Sequence, residues 1–547
     1  MNPSENRFQF ADNLTWTHGR HTAKFGLDVV HTLDVGVNLR NGFGTYSYAS
    51  FTDFAMDYSG NTTGGKRWTT YSQRFGEPRV ETAIRDLNWY AQDQFRITPG
   101  LTLNYGLRHE VAYLPQPKIF NPDYPATQRI PQTRRNLAPR LGLAWAFNQA
   151  KTVLRAGCGV FYARYQGGLI NTFFLENGVY QKEISLSANR PDELAAGPVF
   201  PNRLAATERT PPAGTVALTF AAGDFRNPYT QQGDLGLEHA LTPNLGLTIS
   251  YMWSRGVHLT TVQDLNMGAL GAPVTYRILD TQGSTVGAYT TPTYRRANRV
   301  DPRYQRLNVV DSGANSYYNA LVVQLRKRFS RGLQASVAYT WAHAIDWGQP
   351  AGSSNIFHSG GPSTLFNGDY RGEKGSSVLD QRHRLVVTSI YSPRLMRRDS
   401  ALARFLVNGW QLSQITTLAS AHPATATLIV SGFPFTDAAF TGSLNGFGGS
   451  SRVPFWPRSS LDIDQVYRTD ARLSKILPFR EQLKLYLNFE AFNVFNHISD
   501  TRVNTAAYQL RGSDLTPVAG LGAGAASEGF PDGTNARRAQ VSLRLVF

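Results

Sequence analysis

Ala539 to Phe547 read AQVSLRLVF, and this ending decides the fold. Val541, Leu543, Leu545 and Phe547 alternate with Gln540, Ser542 and Arg544, and the sequence stops on the aromatic. A strand with one apolar and one polar face suits a position where lipid meets one side and a lumen the other. The expected fold is therefore all-β, an antiparallel transmembrane β-barrel. Val541, Leu543, Leu545 and Phe547 are its expected barrel-insertion signal.

The same two-residue period recurs upstream. Leu101, Leu103, Tyr105 and Leu107 alternate with Thr102, Asn104, Gly106 and Arg108. Leu245 to Trp253, Leu333 to Trp341 and Leu483 to Phe489 repeat the pattern. Each run approaches the roughly ten residues that a tilted strand needs to cross a bilayer.

Connections alternate in length. Tight turns fall at His18–His21, Thr98–Gly100, Asn148–Lys151, Thr242–Asn244, Ser330–Gly332 and Pro478–Gln482, with a longer one near 393–408. Between them lie polar stretches at 41–83, 111–136, 165–229, 256–315, 344–381, 419–464 and 496–536, expected as long extracellular loops. The strands expected around them are 6–17, 21–31, 84–97, 101–112, 138–147, 152–164, 230–241, 244–255, 316–329, 332–343, 382–392, 408–418, 466–477, 482–495 and 538–547. Further short strands fit Gly42 to Ser50 and Val216 to Phe220. The count of about fifteen is odd and its first strand descends, whereas single-chain bacterial barrels have even numbers. This parity, and an opening MNPSENRFQF without export-signal features, lead to the expectation of further strands upstream.

Composition agrees with a membrane barrel. Charged residues are 17% of the 547, below the roughly one quarter usual in soluble domains, while aromatics reach 12% and would supply interfacial girdles. No apolar run approaches the roughly 18 residues of a spanning helix. The single Cys158 excludes an intrachain disulfide and a thiolate metal cage, and its place in a strand pattern assigns it to packing. The net charge of +16 is scattered, with no basic helix or stacking platform, so nucleic acid is not an expected partner. A basic lumen and basic loops would instead attract anionic solutes or lipopolysaccharide phosphates.

Five strings carry a more specific signal: DNLTWTHGRHTAKFGLD (Asp12–Asp28), WYAQDQFRITPGLTLNYGLRHE (Trp89–Glu110), NLAPRLGLAWAF (Asn136–Phe147), RAGCGVFYARY (Arg155–Tyr165) and FEAFNVFNH (Phe489–His497). In this order they resemble the barrel of TonB-dependent outer-membrane transporters, closest to the Oar-like group. The resemblance implies a barrel of about 22 strands with a plug inside it. Residues 1–547 would then be a partial barrel, with the plug and about seven strands upstream. It further implies the TonB complex as a partner through that N-terminal part, the barrel-assembly machinery and lipopolysaccharide as partners in the outer membrane, and a solute of unknown kind.

Candidate sites are sparse. No HExxH, P-loop or nucleophile-elbow pattern occurs, so no catalytic, cofactor-binding or metal site is expected and the chain is not read as an enzyme. His18 and His21 flank a turn, and turn residues are the simpler reading. GLGAGA (Gly520–Ala525) lacks the strand, helix and ribose acid of a dinucleotide fingerprint, and reads as a loop. Arg108, Glu110, Arg155, Lys484 and Glu490 fall on polar phases and are expected to line the lumen, either pairing across strands or touching solute. Trp89, Trp145, Trp253 and Trp341 fall on apolar phases as lipid-facing or girdle residues. Phe173, Phe174, Phe433, Phe435, Phe440, Phe447 and Phe455 in the long loops either pack those loops together or form a capturing mouth.

Three functions compete. The first is energy-coupled uptake of a solute across the outer membrane, which predicts an upstream plug. The second is a plugless porin-like or adhesion barrel, which predicts ion conductance from the isolated protein. A soluble all-β binding module is third, and it leaves the turn-and-loop asymmetry and Phe547 unexplained.

Overall fold

The computed structural model describes residues 4–547 apart from 38, 40, 61–64, 206–212, 348–363, 397–399, 402, 480–482 and 526–534. Each of the fifteen segments expected as a strand carries one. They are β1 (Ser4–His18), β2 (His21–Val37), β3 (Arg79–Thr98), β4 (Leu101–Tyr113), β5 (Asn136–Phe147), β6 (Thr152–Tyr162), β7 (Tyr229–Thr242) and β8 (Leu245–Asp264). After these come β9 (Tyr304–Ser330), β10 (Leu333–Asp346), β11 (His383–Tyr391), β12 (Trp410–Ala419), β13 (Val466–Pro478), β14 (Lys484–Phe492) and β15 (Arg538–Val546). Each pairs antiparallel with the next, so the wall is a continuous meander. Among the described residues β1 pairs only with β2, and β15 only with β14.

One rim carries the short turns. At Ser330–Leu333 the pivot is Gly332, with φ +75° and a Cβ position 2.8 Å from the Ser392 carbonyl oxygen, so a larger residue would be strained there. The turn residues Arg480, Glu481 and Gln482 lie outside the described set.

Cross-strand register keeps a single parity across the wall. Leu27 stands opposite Trp89, Leu141 opposite Cys158, Leu235 opposite Tyr251, Leu321 opposite Trp341, Leu473 opposite Phe489, and Phe489 opposite Val541. Apolar residues thus meet apolar residues on one face, and polar residues collect on the other. Trp89, Trp145, Trp253 and Trp341 lie exposed on the apolar face, together with Val541, Leu543 and Leu545. Cys158 shares that face.

At the opposite rim the long connections depart from the expectation of polar, structureless loops. They fold. The strands run past the membrane span, with 20 residues in β8 and 27 in β9, well beyond the roughly ten needed to cross. The outer end of β9 pairs with β8 on one side and, in parallel, with strand Val216–Ala221 on the other. A cap sheet continues from there through Gln181–Ser187, Thr70–Gly76 and Thr45–Ser47. A second sheet, of five short strands, joins Gly271–Leu279 and Thr285–Thr293 to Asp514–Pro517, Ala506–Arg511 and Thr427–Ile429. Sequence alternation ends where the membrane does, because Leu307, Asn308, Val309 and Val310 are all buried, on both faces.

Candidate functional site

The wall's polar face begins with the sequence-chosen residues. Arg108 stands opposite Tyr90 and Ala138, Glu110 opposite Asn88 and Asn136, and Arg155 opposite Ala144 and Gly236. Lys484 stands opposite Pro478 and Val546, and Glu490 opposite Arg472 and Gln540. All five share the polar face, where four of them fall into three separate ion-paired groups and Lys484 lies at the turn end of β14. The Arg108 Nε donates to Glu110 at 2.5 Å, and its guanidinium lies 3.8 Å from Asp28. The Arg155 Nε donates to Glu238 at 2.8 Å. The Arg472 Nε donates to Glu490 at 2.6 Å. Four of the five are therefore engaged in cross-strand or same-strand ion pairs.

Between these groups the face is carpeted with uncharged hydrogen-bonding residues and small residues. Tyr90 lies flat over Gly26, whose Cβ would come within 2.1 Å of the ring, and its hydroxyl donates to Asn13 at 2.6 Å. One hollow on this face sets a few apolar side chains among polar and charged ones. Ile390, Ile415 and Phe492 line a cavity of about 510 Å³ with Arg326, Arg472 and Glu490, and Ile415 is 54% exposed in it.

The outer end of this face is occupied by the cap. Helix α2 (Gly167–Leu175) follows the short α1 (Phe51–Tyr58) and precedes α3 (Pro191–Ala196). On α2, Asn171 donates to Asp34 of β2 at 2.8 Å and accepts from Thr82 of β3 at 2.7 Å. Ile170, Leu169 and Phe173 of the same helix enter a core with Ala112, Ile130, Phe225, Val262 and Val310. Two hydrogen bonds of one amide and one apolar stripe thus fasten the helix inside the mouth.

Buried ion pairs knit the rest of the cap. Arg306 pairs with the fully buried Asp264 at 3.3 Å, Arg452 donates to Glu373 at 2.7 Å, and Arg458 pairs with Asp346 at 2.5 Å. Arg74 pairs with both Glu176 and Glu183. Burial pushes the Glu176 and Glu193 carboxyls above the usual glutamate range, partly offset by these arginines and by hydrogen bonds. Burial, with Arg296 and Arg190 nearby, pushes the Arg299 guanidinium down to about 10. At the cap surface the Arg303 hydrogen bonds hold Asp301 down at about 2.

The loop aromatics belong to this packing. The Arg306 guanidinium stacks 3.5 Å from the Phe440 ring centroid, Arg190 lies 4.0 Å from Phe433, and Arg295 lies 4.9 Å from Phe435. Phe447 is fully buried against Tyr294, Phe455 packs on Tyr289 and Tyr508, and Phe173 meets Phe225 edge-on, with Phe174 beside that core. These rings hold loops together, and none of them forms an open mouth. Sequence reasoning passed over the exposed aromatics of the cap, Phe43, Phe51 and Tyr58. Their signal was the aromatic-rich run between Gly42 and Tyr58.

The remaining candidates are quickly placed. The His21 Nδ1 lies 2.6 Å from Asp93, with its ring stacked on Phe95, and His18 stacks on Trp16. Among the described residues no group of three histidine, cysteine or acidic side chains could hold a metal. Gly520 and Gly522 sit at positive φ in a turn, ahead of a two-residue strand, Gly524–Ala525, that pairs with Arg502–Val503.

A family model described as "Outer membrane beta barrel domain" matches residues 1–513. Among solved structures the chain is similar to the outer membrane transporter YddB from Escherichia coli, at 11% identity and a TM-score of 0.51, covering 92% of this chain and 52% of that one. It is also similar to a mutant of the ferric enterobactin receptor PfeA from Pseudomonas aeruginosa, at 13% identity and a TM-score of 0.49, covering 100% and 54%. The FrpB iron transporter from Neisseria meningitidis gives 11% identity and a TM-score of 0.46, covering 91% and 52%. The chain spans about half the length of these structures. A search of curated protein sequences finds no match.

Proposed function

The chain belongs to the outer-membrane β-barrel domain family and resides in the cell outer membrane, and on that premise we propose that it forms most of the wall of an Oar-like, TonB-dependent transporter that takes up a solute by energy-coupled passage. The observation that carries this reading is the combination of a polar inner face with a folded cap whose helix α2 is fastened inside the mouth. A passive pore needs an open mouth; a gated path tolerates a closed one. The two unpaired wall edges support further strands between β15 and β1 in the assembled barrel.

In this reading Arg108, Glu110, Arg155, Lys484 and Glu490 line the path, and Val541, Leu543, Leu545 and Phe547 guide insertion by the barrel-assembly machinery. The TonB complex acts through the plug-bearing part, and lipopolysaccharide surrounds the outer rim. Two measurements on the full-length protein test it: capture by the purified periplasmic domain of TonB, and ion conductance in a planar bilayer. Capture with a silent bilayer is expected. Steady conductance without any partner, together with no capture, would establish a porin instead.

A further inference from the structure

We propose that a polar furrow on the inner face of the wall, beneath the cap, binds an acidic oligosaccharide as a stage on its way inward. Two recesses make up the furrow, of about 420 Å³ and about 510 Å³, and Arg140 lines both. They follow a single line of register. Lys24, Gln92, Gly106 and Arg140 are successive cross-strand partners from β2 to β5, and the line runs on through Gly159 and Gln232 to Ser254 of β8. Strand tilt carries such a line obliquely round a lumen, so the furrow suits a linear ligand rather than a compact one. It is also separate from the mouth, because Lys24 lies near the turn at His18–His21 whereas α2 is fastened at Asp34, well outward along β2.

The charges are placed to be met from the lumen. Lys24 and Arg140 are exposed, and among the described residues neither has a carboxylate within ion-pair distance. The Arg140 guanidinium lies 4.5 Å from the Phe161 ring centroid, which holds it without neutralising it. Three strand spacings, roughly 14 Å, separate the two cations along the line. Arg108, which lines the first recess, is by contrast already paired with Glu110. Asp93 at the same recess is likewise taken, by His21 at 2.6 Å and Tyr105 at 2.9 Å, and Asp234 is the carboxylate that lines the second.

Between the cations the lining is neutral and polar. Gln92, Gln94, Asn104 and Gln232 are exposed, offering donors and acceptors together, and Tyr90 and Phe161 supply ring faces. Such amides match hydroxyls that both donate and accept, and the rings match the C–H faces of pyranoses. The two separated cations match carboxylates on separate sugar units.

The inference rests on the solute uptake proposed above and names the class of solute, and the test separates the two. The full-length protein in mild detergent is titrated calorimetrically with trigalacturonate, with neutral galactotriose and with triglutamate. Wild type should bind trigalacturonate far more tightly than either of the others. K24A/R140A should weaken binding by roughly five-fold for each cation lost, K24R/R140K should restore most of it, and R326A, a lumen cation outside the furrow, should change nothing. At Gly142 a first side-chain carbon would meet no wall atom closer than 3.7 Å, so G142L should fill the furrow and abolish binding while the circular dichroism of the wall is unchanged. Equal binding of galactotriose, equal binding by K24A/R140A, or no binding by wild type would overturn the proposal, and preference for triglutamate would overturn it in favour of acidic peptides. Capture by the TonB periplasmic domain is read on the same samples. Capture without trigalacturonate binding sinks the sugar site alone. Binding without capture keeps the furrow and sinks energy-coupled uptake.

Discussion

Wall and cap are built from the same chain by opposite rules. In the wall, each strand separates an apolar face from a polar one, and cross-strand register carries that separation from β1 to β15. In the cap, strands such as the outer end of β9 are buried on both faces, and charged groups that would sit in water elsewhere are paired inside. The difference comes from the solvent. Lipid outside and polar residues inside reward strict alternation. Above the membrane, water lies outside, and the cap must supply its own core.

The sharpest way to break this comparison is to unpair the cap without touching the wall. Replacing Asp264 by Ala leaves Arg306 buried without its carboxylate and removes the acceptor for the Leu307 N–H. A loss of about 3–5 kcal/mol is expected, confined to the cap. Hydrogen exchange should accelerate in 216–221 and 304–310 while β13 to β15 stay protected; uniform acceleration would show that wall and cap unfold as one.

Within the wall, the two faces should respond differently to the same charge. Val323 shares the lipid face with Ile249 and Tyr339, whereas its neighbour Val322 faces Ser250 and Thr340. V323R should cost about 2–4 kcal/mol and V322R under about 1 kcal/mol, measured by folding into liposomes against denaturant. Equal costs would mean that the face assignment is wrong.

The cap, unlike the wall, should also feel pH through its buried carboxylates. Burial raises the folded-state pKa of Glu193 above the ordinary glutamate value of 4.5. The folded cap therefore holds that proton more tightly than the unfolded chain, and its stability falls as pH rises from the ordinary value through the folded one. Limited proteolysis of the cap should show this decline, and E193Q should flatten it.

The smallest effect belongs to the polar face. Arg155 and Glu238 are about half exposed, at 54% and 44%, so R155Q should shift stability by less than about 1 kcal/mol. A larger loss would mark Arg155 as a contact of something that fills the lumen.

The wall was legible in the sequence because two solvents wrote a period of two into it. Leu101 to Leu107 and Leu245 to Trp253 needed only their own alternation to be placed. The cap was not legible, for reasons visible in single residues. Leu307 to Val310 are buried whatever their parity, and the partner strand Val216–Ala221 lies about ninety residues away. The polar-face residues were found from strand phase, and the Arg108 contact to Glu110 follows from a two-residue spacing on one strand. The approach to Asp28 could come only from the fold.

The parallel seating of Val216–Ala221 on β9 also orders events in time. Every wall pairing joins strands consecutive in the wall, alternately through a short turn and a long connection, so the wall can zip strand by strand in chain order. The cap sheet cannot join the wall until β9 exists to receive Val216–Ala221, and the five-strand cap sheet waits for Ala506–Pro517, far downstream. Those long closures are slow. Assembly would therefore leave an early form whose wall is inserted while its mouth still stands open, and the last step of maturation would be the one that shuts it.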